Sequence, residues 1–171
     1  MNNLATDVAI IGGGLAGATA AAMLGRAGHA AVLIEPHAEQ RPEFRCEKLD
    51  DSQLELLCRT GLADDVLPHT CAGGKVWVVR YGRVVDRNKH SPAGILYHDL
   101  VNTVRQQIPA GVPHIATKAS AISGNAGRQR VSLANGDEIE ARLVILANGL
   151  NPGLRETLEI KREVLSPCHS I

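Results

Sequence analysis

Three stretches of the chain carry apolar residues on consecutive positions rather than alternating ones: Asp7-Val8-Ala9-Ile10-Ile11, Ala31-Val32-Leu33-Ile34 and Leu143-Val144-Ile145-Leu146. Short unbroken runs of this kind fit strands buried on both faces of a parallel sheet. Between the first two lies an alanine-rich stretch, Ala18 to Leu24, which reads as a helix stopped near Gly28. Farther along, the helical signals become amphipathic. Ser52 with Glu55 forms a capping box ahead of Leu54, Leu57 and Cys58, and predicts a helix running to about Gly61. Leu100, Val101, Val104 and Ile108 recur at helical spacing in a segment that starts near Tyr97. Two hairpins complete the pattern. One joins Gly74–Arg80 to Arg83–Asp86 through Tyr81-Gly82, and the other joins Val131–Leu133 to Glu138–Glu140 through Asn135-Gly136.

The join between the first strand and the first helix is where chemistry enters. Gly12-Gly13-Gly14-Leu15-Ala16-Gly17 satisfies Gly-x-Gly-x-x-Gly at Gly12, Gly14 and Gly17. Gly12 permits the tight turn, Gly14 lets backbone approach a pyrophosphate, and Gly17 lets the helix pack closely on the strand. Ala21, four residues after Gly17, keeps the same helix face small. The helix then points free N–H groups and the positive end of its dipole at two phosphates. The second strand ends in Glu35, placed where a carboxylate can accept both hydrogens of a ribose diol and would repel a 2′-phosphate. The expected ligand is therefore FAD or NAD rather than NADP. Gly12, Gly13, Gly14, Leu15, Ala16, Gly17, Glu35 and Pro36 are its candidate contacts.

Composition narrows the remaining classes. At 171 residues, with 44% hydrophobic and 21% charged positions, one soluble domain is expected, which is short for an enzyme that must also hold a substrate. Lys plus Arg (18) offset Asp plus Glu (18), which argues against nucleic acid or an anionic membrane as partner. The apolar runs are far shorter than the roughly 20 residues of a bilayer span, and no signal segment opens the chain, so a cytoplasmic location is expected. Cys46, Cys58, Cys71 and Cys168 are too scattered for a metal or redox pair and are read as reduced thiols. The seven histidines show no metal-ligand spacing, and no metal is expected.

The order of elements, a βαβ fingerprint followed by helix, excursion strands, returning helix, hairpin and a final strand into Ala147-Asn148-Gly149, resembles the para-hydroxybenzoate hydroxylase-like flavoproteins over nearly the whole chain. That group includes aromatic and polyketide hydroxylases, flavin-dependent halogenases and geranylgeranyl reductases. Arg45, about ten residues past Glu35, matches the arginine which this family places over the FAD pyrophosphate. Asn148-Gly149 through Arg155 resembles its second motif, with Asn148 where an Asp and Pro152 where a Ser would stand. Tyr97 and His98 stand where hydroxylases often carry an arginine.

The resemblance implies a Rossmann-like three-layer α/β domain with a mostly parallel sheet and a small antiparallel hairpin layer. It adds Arg45, Ala119, Asn148 and Gly149 to the FAD contacts. The implied activity is hydroxylation of a hydrophobic or aromatic small molecule, with NAD(P)H as electron donor. Asn148 and Pro152 leave a geranylgeranyl-reductase-like or halogenase-like enzyme open, and a non-redox nucleotide-binding module is the alternative of another class. Residues 72–95 are expected to be an excursion into a substrate-binding sheet and 163–171 the start of a strand into a substrate domain, with the chain stopping before that domain is complete. The family's third FAD motif, a Gly-Asp pair near the start of a long helix, is not found among these 171 residues. No catalytic side chain is assigned. Cys46 is read as an incidental thiol, and adjacent His98 and Asp99 should diverge on a helix. Trp77 and Tyr81 fit substrate contact or a core or edge position equally.

Overall fold

The first apolar strand is longer than its sequence pattern predicts. In the computed structural model, which describes residues 3–71, 76–88, 93–161 and 163, β1 covers Asn3–Ile11. It is followed by α1 (Leu15–Arg26), β2 (Ala31–Ile34), β3 (Cys46–Leu49), α2 (Asp51–Thr60) and α3 (Ala63–Val66), which runs into a 3₁₀ turn. The hairpin β4 (Val76–Arg80) and β5 (Arg83–Asn88), then β6 (Ala93–Leu96) and α4 (Tyr97–Gln106), make up the middle of the chain. Last come β7 (His114–Ile115), β8 (Ala119–Asn125), β9 (Arg128–Leu133), β10 (Glu138–Leu146) and the short α5 (Gly153–Thr157).

The main sheet has the order β7-β2-β1-β10-β9-β8. Its first four strands are parallel, and β9 and β8 add antiparallel to β10. The Glu138–Glu140 and Leu143–Leu146 segments, expected as separate strands, form one nine-residue strand, because β1 pairs with it along its length from Asn3↔Glu138 to Ile11↔Leu146. The same pairing extends β1 backwards to Asn3. Three layers result. Ile10, Leu33 and Val8 face Ala21 of α1 and Val112, whereas Ala9, Ile11, Val32 and Ile34 face Val131, Leu133, Ile139 and Ala141 of the hairpin strands. Burying each large aliphatic side chain here is worth about 1.5–3 kcal/mol.

A second small sheet was not foreseen. β3 pairs antiparallel with β6, and Leu49, Ala93 and Ile95 pack with Ala18, Leu100 and Val104. This ties the segment after β2 to the start of α4, where Tyr97 N–H donates to Arg45 C=O at 2.8 Å.

The capping box lies two residues earlier than Ser52–Glu55. Asp50 is the N-cap, its carboxylate accepting the Ser52 and Gln53 N–H groups at 3.1 Å while Gln53 reaches back to Asp50 N–H. Both Asp50-x-x-Gln53 and Ser52-x-x-Glu55 fit the box, and with Asp and Ser about equal as caps, propensity could not choose between them.

Tyr81 (φ 49°) and Gly82 (φ 74°) both adopt left-handed conformations, the turn that suits a twisted two-residue hairpin. Trp77 and Tyr81 are exposed rather than packed in the core, and Arg87 lies 5.0 Å over the Trp77 ring. At Asn135-Gly136 only Gly136 has positive φ, and Leu133 N–H donates to Asp137 C=O, so that hairpin closes through a longer loop. Gly74, Lys75 and residues 164–171 lie outside the described residues, as does Cys168.

Candidate functional site

The glycine turn sits at the carboxyl end of β1, between β2 on one side and β10 on the other. That is the point where the strand order reverses, and ligands of open α/β sheets bind there. Gly12 (φ 103°) makes the turn, and a Cβ on it would lie 2.5 Å from Ala147 C=O. On Gly17 a Cβ would lie 1.8 Å from Gly12 C=O, so the helix touches the strand end backbone to backbone. Gly13 is equally constrained, since a Cβ there would stand 2.7 Å from Glu35 Cγ and 2.8 Å from Arg105 Nη2. Gly14 differs. It is the N-cap of α1 with ordinary φ, and a Cβ on it would meet only the Tyr97 hydroxyl, at 3.3 Å. No side chain caps α1 and its first turn holds no acidic residue, so the N–H groups of Leu15, Ala16 and Gly17 face outward as donors.

Glu35 is half-buried behind this turn. Its Oε2 accepts Gly13 N–H at 2.9 Å, and its Oε1 accepts His37 N–H at 3.1 Å and lies 3.1 Å from His37 Nδ1. Burial raises the Glu35 carboxyl pKa. The hydrogen bonds from Gly13 and His37 and the nearby Arg105 charge outweigh that, and the pKa ends below the ordinary value. The carboxylate keeps lone pairs for a further donor, since its two oxygens offer about four acceptor positions.

Arg105, on α4, was missed by the sequence reading. Its Nε donates to Gly13 C=O at 2.7 Å and its Nη1 to His37 C=O and Ala38 C=O at 2.9 and 3.1 Å. Burial lowers the guanidinium pKa, while Glu35 and Tyr97 pull it back up. Asn102, one turn earlier, holds Gln40 through both its amide groups. α4 thereby fastens the chain leaving β2, and with it the carboxylate. The available signal was an arginine set beside the apolar Leu100, Val101 and Val104 positions.

Gly12, Glu35, Pro36, Ala119 and Asn148 line one cleft of about 510 Å³, together with Thr117, Lys118 and Leu154. That volume is within the range of ligand clefts. Ala119 starts β8 beside a bulge that interrupts its pairing with β9. Asn148 donates to Asn151 C=O at 3.1 Å, and Arg155 reaches Leu150 and Asn151 C=O, so the loop after β10 closes on itself. Gly149 (φ 58°) turns this loop but does not line the cleft.

Arg45 is not in the cleft lining either. Its guanidinium carbon sits 4.0 Å over the Tyr97 ring, and its Nε and Nη2 pair with Glu47 Oε1 at 2.7 and 2.6 Å. It approaches the glycine turn through Tyr97, whose hydroxyl is at Gly14. Cys46, Cys58 and Cys71 are free and exposed. His98 and Asp99, expected to diverge, approach to 3.5 Å, because His98 turns its other nitrogen toward Glu43 N–H.

A tight strand-to-helix glycine turn, a backed carboxylate and a cleft at the switch point define a protein of the dinucleotide-binding βαβ class. Residues 5–170 match the FAD binding domain family, and the chain belongs to it. It is similar, at 28% identity over 91% of its length, to 3-demethoxyubiquinol 3-hydroxylase of Escherichia coli (strain K12), of which it covers 44%. Its fold is similar to P. aeruginosa PqsL in a mutant crystal structure, with a TM-score of 0.79 and 22% identity over 96% of this chain and 48% of that one. It is also similar to p-nitrophenol 4-monooxygenase PnpA from Pseudomonas putida DLL-E4, with a TM-score of 0.75 and 20% identity over 92% and 44%. The chain thus spans less than half the length of these relatives. No helix among the described residues is long and apolar enough to cross a membrane.

The residues present fit FAD. The glycines leave no room for side chains between strand and helix, the α1 N–H groups are donors for a pyrophosphate, and Glu35 is an acceptor suited to a ribose diol.

Proposed function

We propose that this chain supplies the FAD site of a flavin-dependent monooxygenase that hydroxylates a hydrophobic or aromatic small molecule, with NAD(P)H as electron donor. The observation that carries the proposal is the match of residues 5–170 to the FAD binding domain family, on a cleft in which Gly12 and Glu35 meet. The α1 N–H groups and Gly14 take the pyrophosphate, Glu35 the adenosine ribose, and Pro36 and Ala119 flank the adenine. Asn148 shapes the far wall, and Gly149 turns the loop behind it. FAD held by these residues would supply the redox and oxygen-activating chemistry of a hydroxylation. The protein's share is to hold the cofactor, keep Glu35 ionised and position its backbone donors. The names of the relatives, a hydroxylase of 3-demethoxyubiquinol and a monooxygenase of p-nitrophenol, favour a ring-bearing substrate.

The test is the full-length protein loaded with FAD, followed by NADH and NADPH oxidation, oxygen uptake and hydrogen peroxide release with phenolic and quinol substrates. Substrate-stimulated oxygen uptake is expected. Oxidation of either donor without oxygen uptake, whatever the substrate, contradicts the monooxygenase reading.

Glu35 has its own signature. Glu35→Gln keeps the shape but loses the charged acceptor, and FAD affinity should fall about tenfold or more at neutral pH. Because the folded carboxyl pKa lies below its ordinary value of 4.5, its stabilisation is complete above that value and is lost as pH falls through the folded one. The melting-temperature difference between wild type and Glu35→Gln should therefore hold steady from neutral pH to about 5 and close below the ordinary carboxyl range. A gap that opens on acidification would contradict this.

A further inference from the structure

The charges of the two arginines and two glutamates nearest the glycine turn sum to zero, with one ion pair among them. Arg45 gives Nε and Nη2 to Glu47, and Arg105 lies against Glu35 and binds the backbone beside it. A pyrophosphate at the start of α1 therefore meets no net positive charge from these four side chains. It does meet a neutral one. The Tyr97 hydroxyl stands 3.3 Å from the point where a Gly14 side chain would begin, and makes no hydrogen bond among the described residues. The rest of Tyr97 is fixed. Its N–H donates to Arg45 C=O at 2.8 Å, its ring lies under the Arg45 guanidinium at 4.0 Å, and it opens α4 directly after β6. A tyrosine held at backbone, ring face and helix start, with its hydroxyl unused at an uncapped helix N-terminus, is a preset donor.

We propose that the FAD pyrophosphate is held on this chain mainly by neutral donors, the Tyr97 hydroxyl together with the α1 N–H groups, while Arg45 acts by stacking on Tyr97 and not as a free counter-charge. This rests on the FAD reading above and adds a binding residue to it. A hydroxyl donating to a phosphate oxygen is a charge-assisted hydrogen bond, short-ranged and little affected by salt, whereas an exposed arginine–phosphate contact weakens as ions screen it.

The test is titration of FAD, ADP and adenosine onto the full-length protein depleted of cofactor, at low salt and at about 0.5 M salt, where screening is strong. FAD is followed by flavin fluorescence, and ADP and adenosine by calorimetry. Tyr97→Phe keeps the ring on which Arg45 stacks and removes only the hydroxyl. It should weaken FAD and ADP about tenfold at both salt concentrations and leave adenosine unchanged. Wild-type affinity for ADP should vary little with salt. Tyr97→Phe binding of FAD and ADP within about twofold of wild type would overturn the proposal, as would a steep loss of wild-type ADP affinity with salt. If the wild type binds ADP but not FAD, the functional reading falls while the donor assignment is still decided by ADP. If it binds neither, both fall.

Discussion

Gly17→Val is expected to destabilise the protein by at least about 3 kcal/mol and to abolish FAD uptake, because the new side chain has nowhere to go. Its Cβ alone would stand 1.8 Å from Gly12 C=O and 3.2 Å from Ala147 Cβ. The first contact is with backbone, which cannot swing aside as a flexible side chain can. Relief requires α1 to lift off β1, which would open the Ala21–Ile10 layer and move every N–H group offered to the pyrophosphate. Thermal unfolding followed by circular dichroism, with flavin absorbance on the same sample, measures both effects. A variant that melts like wild type and keeps its flavin would show that the strand–helix contact is not as tight as described.

Arg105→Met should be the next most damaging change, at about 2 kcal/mol of stability and roughly tenfold in FAD affinity, although Arg105 is remote in sequence from every glycine. Three carbonyls, those of Gly13, His37 and Ala38, lose their donor together, and the Gly13 carbonyl belongs to a buried residue. Glu35 loses its neighbouring positive charge as well. Arg105→Lys should rescue little, since one ammonium cannot reproduce the fork that spans the glycine turn and the 37–38 backbone. Melting temperature and FAD dissociation constant separate the two effects. Full recovery of both by lysine would show that charge alone matters there.

Much of the site was legible because it is local. The strand, the glycine turn, α1, β2 and Glu35 lie within 35 residues, and each position is constrained by its neighbours in sequence. Glu35 sits behind the turn and accepts the Gly13 N–H, and the turn uses Gly12 and Gly17 for the steric reasons their spacing implies. Gly13, a candidate contact to which the glycine spacing assigns no steric role, is wedged between Glu35 and Arg105. That constraint comes from α4, some ninety residues away, and no local rule could show it.

The β3–β6 pair stayed hidden for a related reason. Cys46-Glu47-Lys48-Leu49 buries only Leu49, so it shows neither alternation nor an apolar run, and it becomes a strand only because Ala93–Leu96 returns alongside it. The same return explains why Arg45 lies outside the cleft. Its backbone is tied to Tyr97 and its side chain to Glu47, relations which the spacing from Glu35 could not reveal. β7 and α5, of two and five residues, are too short to carry a periodicity.

The central claim is that the Gly12–Gly14 turn with Glu35 holds FAD, and Gly14→Leu tests it most directly. Gly14 has ordinary φ, and a Cβ there touches only a hydroxyl at 3.3 Å, so the fold should tolerate a side chain that fills the space in front of the α1 N–H groups. The measurement is the flavin absorbance and released FAD per chain of full-length wild type and Gly14→Leu, with circular dichroism as the folding control. The account predicts equimolar FAD in wild type and a folded, colourless Gly14→Leu. A folded Gly14→Leu that carries as much FAD as wild type would contradict it.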